Sequence, residues 1–329
     1  MKILNIKLVL ILCACFLFSC VEKEEFFPEL EGIPGGGLLD AEVKSVSGSK
    51  VVFRLDLFAV NHYGDFIENL DGNCLATDDD FPKADLISIG KGTNDEKGAY
   101  SAAMLFDQSG SILENDPLDA RVAAGKAFVD IMNTDDEVAV AAFADGGFFP
   151  GNPTMLEEFS NDKVQLRTVI DDLADKEDGG TPLYVSINNL VDYVNDAAKN
   201  SNKAVIVMTD GQDTEGGVNI GNLIDKAVIN GVEVYTIGLG FDVDLDILQE
   251  IALQTGGAVM QAQDALQLIS LYNSLADLLR GEGVFYETCW ELEKPGGLDW
   301  FSGEIIVTVI ELTLPTGEII EYPVRLAIP

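Results

Sequence analysis

The pattern of apolar and polar residues changes along the chain. It has the period of β-strands near both ends, and it alternates between strand and helix patterns in the centre. Between Ala41 and Asn61, the residues Phe53, Leu55, Leu57 and Ala59 alternate with Arg54, Asp56 and Phe58, which is the period of a strand with one buried face. The stretch from Val284 to Pro329 alternates again, and Pro315-Thr316-Gly317 predicts a hairpin turn within it. Both ends are therefore predicted to be β structure.

The centre of the chain, from Ala99 to Arg280, alternates apolar strands with amphipathic helices. This order is typical of a parallel sheet that is covered by helices on both faces. The predicted core strands are Ala99–Phe106, Glu137–Phe143, Lys203–Thr209, Val232–Gly238 and Ala258–Ala262. A short apolar run, Met155–Phe159, is typical of an antiparallel edge strand. The predicted fold class is α/β, with a doubly wound and mostly parallel sheet.

Residues 1–19 have the composition of a secretory signal peptide. Lys2 and Lys7 form a basic start, and Leu8–Phe18 is an apolar run too short to span a bilayer. The sequence Leu17-Phe18-Ser19-Cys20 resembles the lipobox of bacterial lipoproteins, which implies that Cys20 becomes the N-terminus and carries acyl chains. The alternative is an ordinary signal peptide with a coincidental cysteine.

The residues after Cys20 predict an outer-membrane lipoprotein. No Asp follows the cysteine to suggest retention in the inner membrane, and Lys23-Glu24-Glu25 resembles a short acidic export tag of surface lipoproteins. We therefore expect the cell surface rather than the periplasmic face, although these charges are also compatible with a solvated tether. Residues 20–37 are rich in Pro, Gly and Glu and lack periodicity, which predicts a flexible linker after the anchor.

The charge of the chain limits its partners. It has 56 acidic and 20 basic residues, a net charge of −36. Binding to nucleic acid requires Lys and Arg to neutralise phosphates, and anionic lipid would be repelled by this excess of carboxylates. We therefore expect no nucleic acid partner, and contact with the membrane only through the lipid. Cations are the natural counter-partners.

Five oxygen-bearing side chains lie in loops that should meet at the same edge of the sheet. Asp107, Ser109 and Ser111 leave the first core strand, Asp210 leaves another, and Thr181 precedes a helix. Loops at the carboxyl ends of parallel strands converge, so these residues are expected to meet. Carboxylates and hydroxyls without sulfur or imidazole suit Mg²⁺, Mn²⁺ or Ca²⁺.

This pattern, D-x-S-x-S with a distant Thr and a distant Asp, resembles the metal-ion-dependent adhesion site (MIDAS) of the von Willebrand factor type A family. The resemblance covers about Ala99 to Arg280 and implies a six-strand sheet with one antiparallel edge. It also implies that the five residues hold a divalent cation, Mg²⁺ first, and that a protein or glycan ligand offers a carboxylate to it. The expected function is adhesion or capture of a ligand outside the cytoplasm.

Catalysis has little support in the sequence. His62 is the only histidine, and neither an H-E-x-x-H motif nor a G-x-x-x-x-G-K-[ST] phosphate loop occurs. We therefore predict no enzyme and no catalytic residues. Two alternatives remain open, an interaction subunit of an envelope complex with structural or regulatory metal, and a metal-dependent hydrolase.

The cysteines predict how the two β ends are joined. Cys13 and Cys15 belong to the signal peptide, which leaves Cys74 and Cys289 in the ends of the mature chain. A disulfide between them would tie residues 38–97 to residues 282–329 as one β-sandwich, with the type A domain of residues 98–281 inserted between them. The N-terminal part also resembles immunoglobulin-like strands. The alternative for the cysteines is two buried free thiols.

Overall fold

The computed structural model describes residues 32–240 and 242–329. The predicted signal peptide, the acyl-bearing Cys20 and the proposed export tag lie outside the described residues. Within the described ranges, no helix has both the length and the apolarity that crossing a membrane requires.

Thirteen strands and seven α-helices make up the described part of the chain. The strands are β1 (Gly35–Ser47), β2 (Lys50–Val60), β3 (Leu75–Thr77), β4 (Ala84–Lys91), β5 (Tyr100–Asp107), β6 (Glu137–Phe143), β7 (Thr154–Ser160), β8 (Asn202–Thr209), β9 (Val232–Leu239), β10 (Val259–Ala262), β11 (Tyr286–Glu293), β12 (Ile305–Thr313) and β13 (Ile319–Ala327). The helices are α1 (Ile112–Asn115), α2 (Ala120–Asp130), α3 (Lys163–Asp171), α4 (Leu183–Ala197), α5 (Ile220–Asn230), α6 (Leu245–Thr255) and α7 (Gln267–Arg280).

The predicted α/β centre is confirmed. Six strands lie in the order β10-β9-β8-β5-β6-β7, the first five parallel and β7 antiparallel at the edge. Every residue of β5 is buried, because helices α2, α3 and α7 cover one face of the sheet and helices α4, α5 and α6 cover the other. Burial on both faces explains why the strands read as continuous apolar runs in the sequence.

The two β ends extend this same sheet, which the sequence did not predict. Strand β1 pairs antiparallel with β10, and the order continues through β2 and β11 to β4, so that ten strands form one sheet. A second sheet, β13-β12-β3, packs against the extension through a separate apolar core. The expected immunoglobulin-like sandwich is not confirmed, because the larger layer is the central sheet itself. Pairing with β1 satisfies backbone groups that β10 would otherwise leave unpaired at a sheet edge.

The predicted linker ends earlier than expected. Residues Gly35 to Gly37 are buried and belong to β1, whereas the sequence placed them in a flexible tether. Their glycines serve close packing: a Cβ on Gly36 would lie 2.5 Å from Phe58 O, and one on Gly37 would lie 2.5 Å from Val259 O. Glycine therefore occurs here because no side chain fits between neighbouring strands.

The two cysteines are free thiols, so the predicted disulfide is absent. Cys74 ends a short 3₁₀ turn, packs against the core between the two sheets, and donates from Sγ to Asp71 O. Cys289 precedes Trp290 on β11, and Trp290 belongs to that core. Since successive strand residues point to opposite faces, Cys289 faces away from the core that Cys74 contacts.

Candidate metal site

The strand order brings the two predicted aspartates to one edge of the sheet. Asp107 ends β5, and Asp210 directly follows β8, the neighbouring parallel strand. The register pairs Phe106 with Met208, so both strands end at the same level. The convergence expected from the strand pattern is therefore observed.

All five predicted residues lie together, and we call Asp107, Ser109, Ser111, Thr181 and Asp210 the oxygen cluster. The hydroxyls of Ser109 and Ser111 are 3.2 Å apart, and Ser111 Oγ donates to Asp210 Oδ1 at 2.8 Å. Thr181 is next to them, because a Cβ on Gly211 would lie 3.7 Å from Thr181 Oγ1 and 3.8 Å from Ser111 Oγ. Ser111 is exposed while the other four residues are buried, so the oxygen cluster is accessible from the side of Ser111.

Backbone hydrogen bonds hold the three loops of the oxygen cluster in place. Gly110 N donates to Gly179 O at 3.1 Å, and Asp178 N donates to Gln108 O at 2.9 Å. The loop of Thr181 is bonded in turn to the loop after Asp210, since Thr214 N donates to Thr181 O at 3.0 Å. The hydroxyls are therefore positioned before any ligand arrives, which lowers the ordering cost of binding.

Two residues that the sequence analysis missed orient the carboxylates. Thr209 Oγ1 donates to Asp107 Oδ2 at 2.6 Å, and Asn115 Nδ2 donates to Asp210 Oδ2 at 2.9 Å. Each aspartate is thus held through a second donor besides the serines. Thr209 stands directly before Asp210 in the chain, but nothing in its local sequence indicates that it faces Asp107 from the neighbouring strand.

The electrostatics of the oxygen cluster favour a cation. Burial and the charge of Asp210 raise the pKa of Asp107 to about 6, although hydrogen bonds from Ser109 and Thr209 oppose the rise. Burial also raises the pKa of Asp210, against hydrogen bonds from Asn115 and Ser111. Two buried carboxylates that disfavour their own charge would be stabilised by a divalent cation bound at the oxygen cluster. The donor chemistry therefore fits the hard cation predicted from the sequence.

A buried arginine beneath the oxygen cluster was also missed. Arg121 is fully buried and donates to Asp116 Oδ2 at 2.9 Å, to Gln108 Oε1 at 3.1 Å, and to Glu177. It therefore connects the loop of Ser109 with the loop that leads to Thr181. Asp116 also accepts from the N–H of Ala120 at 2.7 Å, which satisfies a free backbone donor at the first residue of α2.

Comparison with known proteins agrees with this architecture. The family model described as von Willebrand factor type A domain matches residues 103–274, more than half of the chain. Calcium-activated chloride channel regulator 1 of Macaca mulatta is 22% identical over 215 residues, which are 64% of this chain and 23% of that protein. Inter alpha-trypsin inhibitor, heavy chain 4, of Mus musculus is 31% identical over 124 residues, 32% of this chain and 13% of that protein. The chain thus spans less than a quarter of either relative.

Two solved structures are similar to this chain. A von Willebrand factor type A protein from Catenulispora acidiphila aligns with a TM-score of 0.50 at 14% identity and covers 91% of this chain and 74% of that one. Proximal thread matrix protein 1 from the mussel byssus, solved with a zinc-occupied MIDAS motif, aligns at 22% identity with a TM-score of 0.48, covering 61% of this chain and 49% of that one. The family match over more than half of the chain, together with the strand order, shows that the chain belongs to the von Willebrand factor type A domain family.

Proposed function

We propose that this protein is a lipid-anchored, extracytoplasmic binding protein that captures a protein or glycan ligand through a divalent cation held by the oxygen cluster. One observation carries the proposal: five oxygen-bearing side chains from three separate loops lie in one cluster that is open through Ser111. Type A domains are typical of adhesion and protein interaction, and the charge of this chain agrees with a cation as the first partner.

The mixture of carboxylates and hydroxyls supports ligand capture rather than a closed structural site. Asp107 and Asp210 supply negative charge, while Ser109, Ser111 and Thr181 are neutral. A cation bound by this set stays electrophilic and can accept a carboxylate oxygen from outside. Of the five, Ser111 is the exposed residue, so that oxygen would approach on its side. Mg²⁺ is the proposed ion, with Mn²⁺ and Ca²⁺ as close competitors.

The residues around the oxygen cluster support binding rather than catalysis. In the hydrogen bonds described for the cluster, the ionisable partners are its own aspartates, and burial raises the pKa of both. His62 lies on the surface, where Nδ1 is 3.1 Å from Gly32 O and Nε2 is 3.5 Å from Glu318. A hydrolase would need a base beside the ion, and this histidine has other partners.

Calorimetry tests the cation step. We expect Mg²⁺ and Mn²⁺ to bind residues 20–329 with a stoichiometry of one, and Asp210→Asn or Ser109→Ala to weaken binding by at least about tenfold, or about 1.4 kcal/mol. Asp196→Asn is the matched control, because Asp196 is exposed on α4. Absence of heat with Mg²⁺, Mn²⁺ and Ca²⁺, or equal affinity in the Asp210 variant, would refute the proposed site.

The ligand and the location need separate experiments. A pull-down from the native envelope in Mg²⁺, repeated in EDTA, should capture a partner only with the metal. Protease treatment of intact cells should remove the chain from a surface location, whereas full protection would favour a periplasmic scaffold. Replacing Cys20 by Ala should release the protein from the membrane fraction if this residue carries the anchor.

A further inference from the structure

The face that surrounds the oxygen cluster has an unbalanced negative charge. Six exposed carboxylates lie in α1, in the loop before α4 and in the loops after strands β6, β8 and β9, and we call them the acidic rim: Glu114, Asp145, Asp175, Asp178, Glu215 and Asp242. In residues 32–240 and 242–329, none of the six forms a salt bridge. Lys176 is the basic residue in these loops, and the guanidinium of Arg121 is buried with partners of its own.

Two members of the acidic rim meet beside Thr181. A Cβ on Gly180 would lie 3.4 Å from Asp145 Cβ and 3.7 Å from Glu215 Oε1, so both side chains border the residue before Thr181. Asp145 N also donates to Gly180 O at 2.9 Å, which holds the two loops together. The charge of Asp145 raises the pKa of Glu215, as expected for carboxyls in close contact. A positive group from outside would relieve this repulsion.

Large apolar side chains are exposed in the same loops. Phe148 is 65% exposed three residues after Asp145, and Leu113 is 57% exposed two residues after Ser111. Exposed apolar groups of this size beside a polar site are typical of surfaces that a partner covers. The loops thus combine one cation site, uncompensated carboxylates and apolar contacts.

We propose that the partner is a basic protein segment in which one carboxylate is flanked by Lys or Arg and by an apolar side chain. The inference rests on the proposed function, because the single carboxylate would complete the cation at the oxygen cluster. The flanking cation would lie between Asp145 and Glu215, and the apolar side chain would contact Phe148 or Leu113. An acid-rich segment would gain the same metal contact, but the acidic rim would repel it within a Debye length of about 8 Å.

Three synthetic peptides test this proposal. The basic peptide contains one Asp flanked by two Lys residues, and a Leu beside them. The acidic peptide has both Lys residues replaced by Glu, and the Asn peptide has the Asp replaced by Asn. Binding is measured by fluorescence anisotropy in Mg²⁺ at low and at about 150 mM ionic strength. We expect the basic peptide to bind at least about tenfold more tightly than the acidic one, by about 1.4 kcal/mol, and the Asn peptide to lose metal-dependent binding.

Variants of the chain give an independent readout. The double variant Asp145→Asn, Glu215→Gln should lose most of the preference for the basic peptide and keep its affinity for Mg²⁺. The double variant Asp196→Asn, Glu250→Gln makes the same change in charge at exposed residues of α4 and α6 and should behave like the unmodified chain.

The outcomes separate this inference from the proposed function. If Mg²⁺ binds but the acidic peptide binds as well as the basic one, or no peptide binds, or the Asp145 and Glu215 variant keeps the preference, the inference about the partner is overturned. If Mg²⁺ itself does not bind, the proposed function fails first and the inference fails with it.

Discussion

Ser111 Oγ donates a 2.8 Å hydrogen bond to Asp210 Oδ1, although the two residues are 99 positions apart in the chain. The bond joins the loop after β5 to the loop after β8, and it lies where a shared cation would bind. Several consequences of this arrangement can be measured without knowing the ligand.

The metal-free protein should lose stability as the pH rises. The pKa of Asp107 is raised to about 6 by burial and by Asp210, so the folded state holds this proton more tightly than the unfolded chain does. The protonated Asp107 contributes its full stabilisation at a pH below its pKa in the unfolded chain, which is about 4. This contribution is lost as the pH rises through its folded pKa of about 6. In EDTA, the melting temperature should therefore fall between about pH 4 and pH 7.

The same reasoning predicts an opposite effect of Asp107→Asn on stability and on binding. The variant should be more stable than the unmodified chain in EDTA at neutral pH, by about 1 to 3 kcal/mol, and should no longer be stabilised by Mg²⁺. Asp56→Asn is the control. Burial also raises the pKa of Asp56 to about 6, but Asp56 lies on β2, far from the oxygen cluster. A Mg²⁺ response retained in Asp107→Asn and lost in Asp56→Asn would contradict the assignment.

Removal of the buried guanidinium should damage both folding and cation binding. Arg121→Ala leaves Asp116 and Glu177 buried without their partner, which typically costs about 3 to 5 kcal/mol. Urea unfolding measures this loss. Arg167→Ala removes an exposed ion pair with Asp130 and should cost less than about 1 kcal/mol. Equal effects of the two substitutions would show that Arg121 does not hold the loops.

A single methyl group should distinguish a folded strand from a linker at the start of β1. Gly36→Ala forces a Cβ to within 2.5 Å of Phe58 O, so we expect destabilisation by about 1 to 3 kcal/mol. Gly90→Ala is the matched control on edge strand β4, where a Cβ would meet no atom within 4 Å. If Gly36→Ala left the denaturation midpoint unchanged, residues 35–37 would be a tether after all.

The two thiols should react independently. Because Cys74 and Cys289 lie on opposite sides of the extended sheet, we expect mass spectrometry of the unreduced protein to show both alkylated after unfolding. Oxidation should not change the melting temperature of the chain. Recovery of a linked Cys74–Cys289 peptide would mean that the two β ends pack differently.

The α/β centre and the membership of the oxygen cluster were predictable from the amino-acid sequence. Both follow from local rules: buried strands such as β5 are continuous apolar runs, and parallel strands carry the residues after them to one edge. Asp107 and Asp210 could therefore be placed together without any knowledge of the helices between them.

The joining of the β ends and the support of the oxygen cluster were not predictable in this way and became clear from the folded chain. Alternation predicts a strand with a buried face at β2, but it does not choose the partners of the N-terminal strands. The pairing of β1 with β10 depends on close approach at Gly36 and Gly37. Arg121 likewise reads as an ordinary helical residue until its partners at Gln108 and Glu177 converge on it. Local periodicity is determined within a few neighbouring residues, whereas strand pairing and buried charge networks depend on contacts between distant parts of the chain.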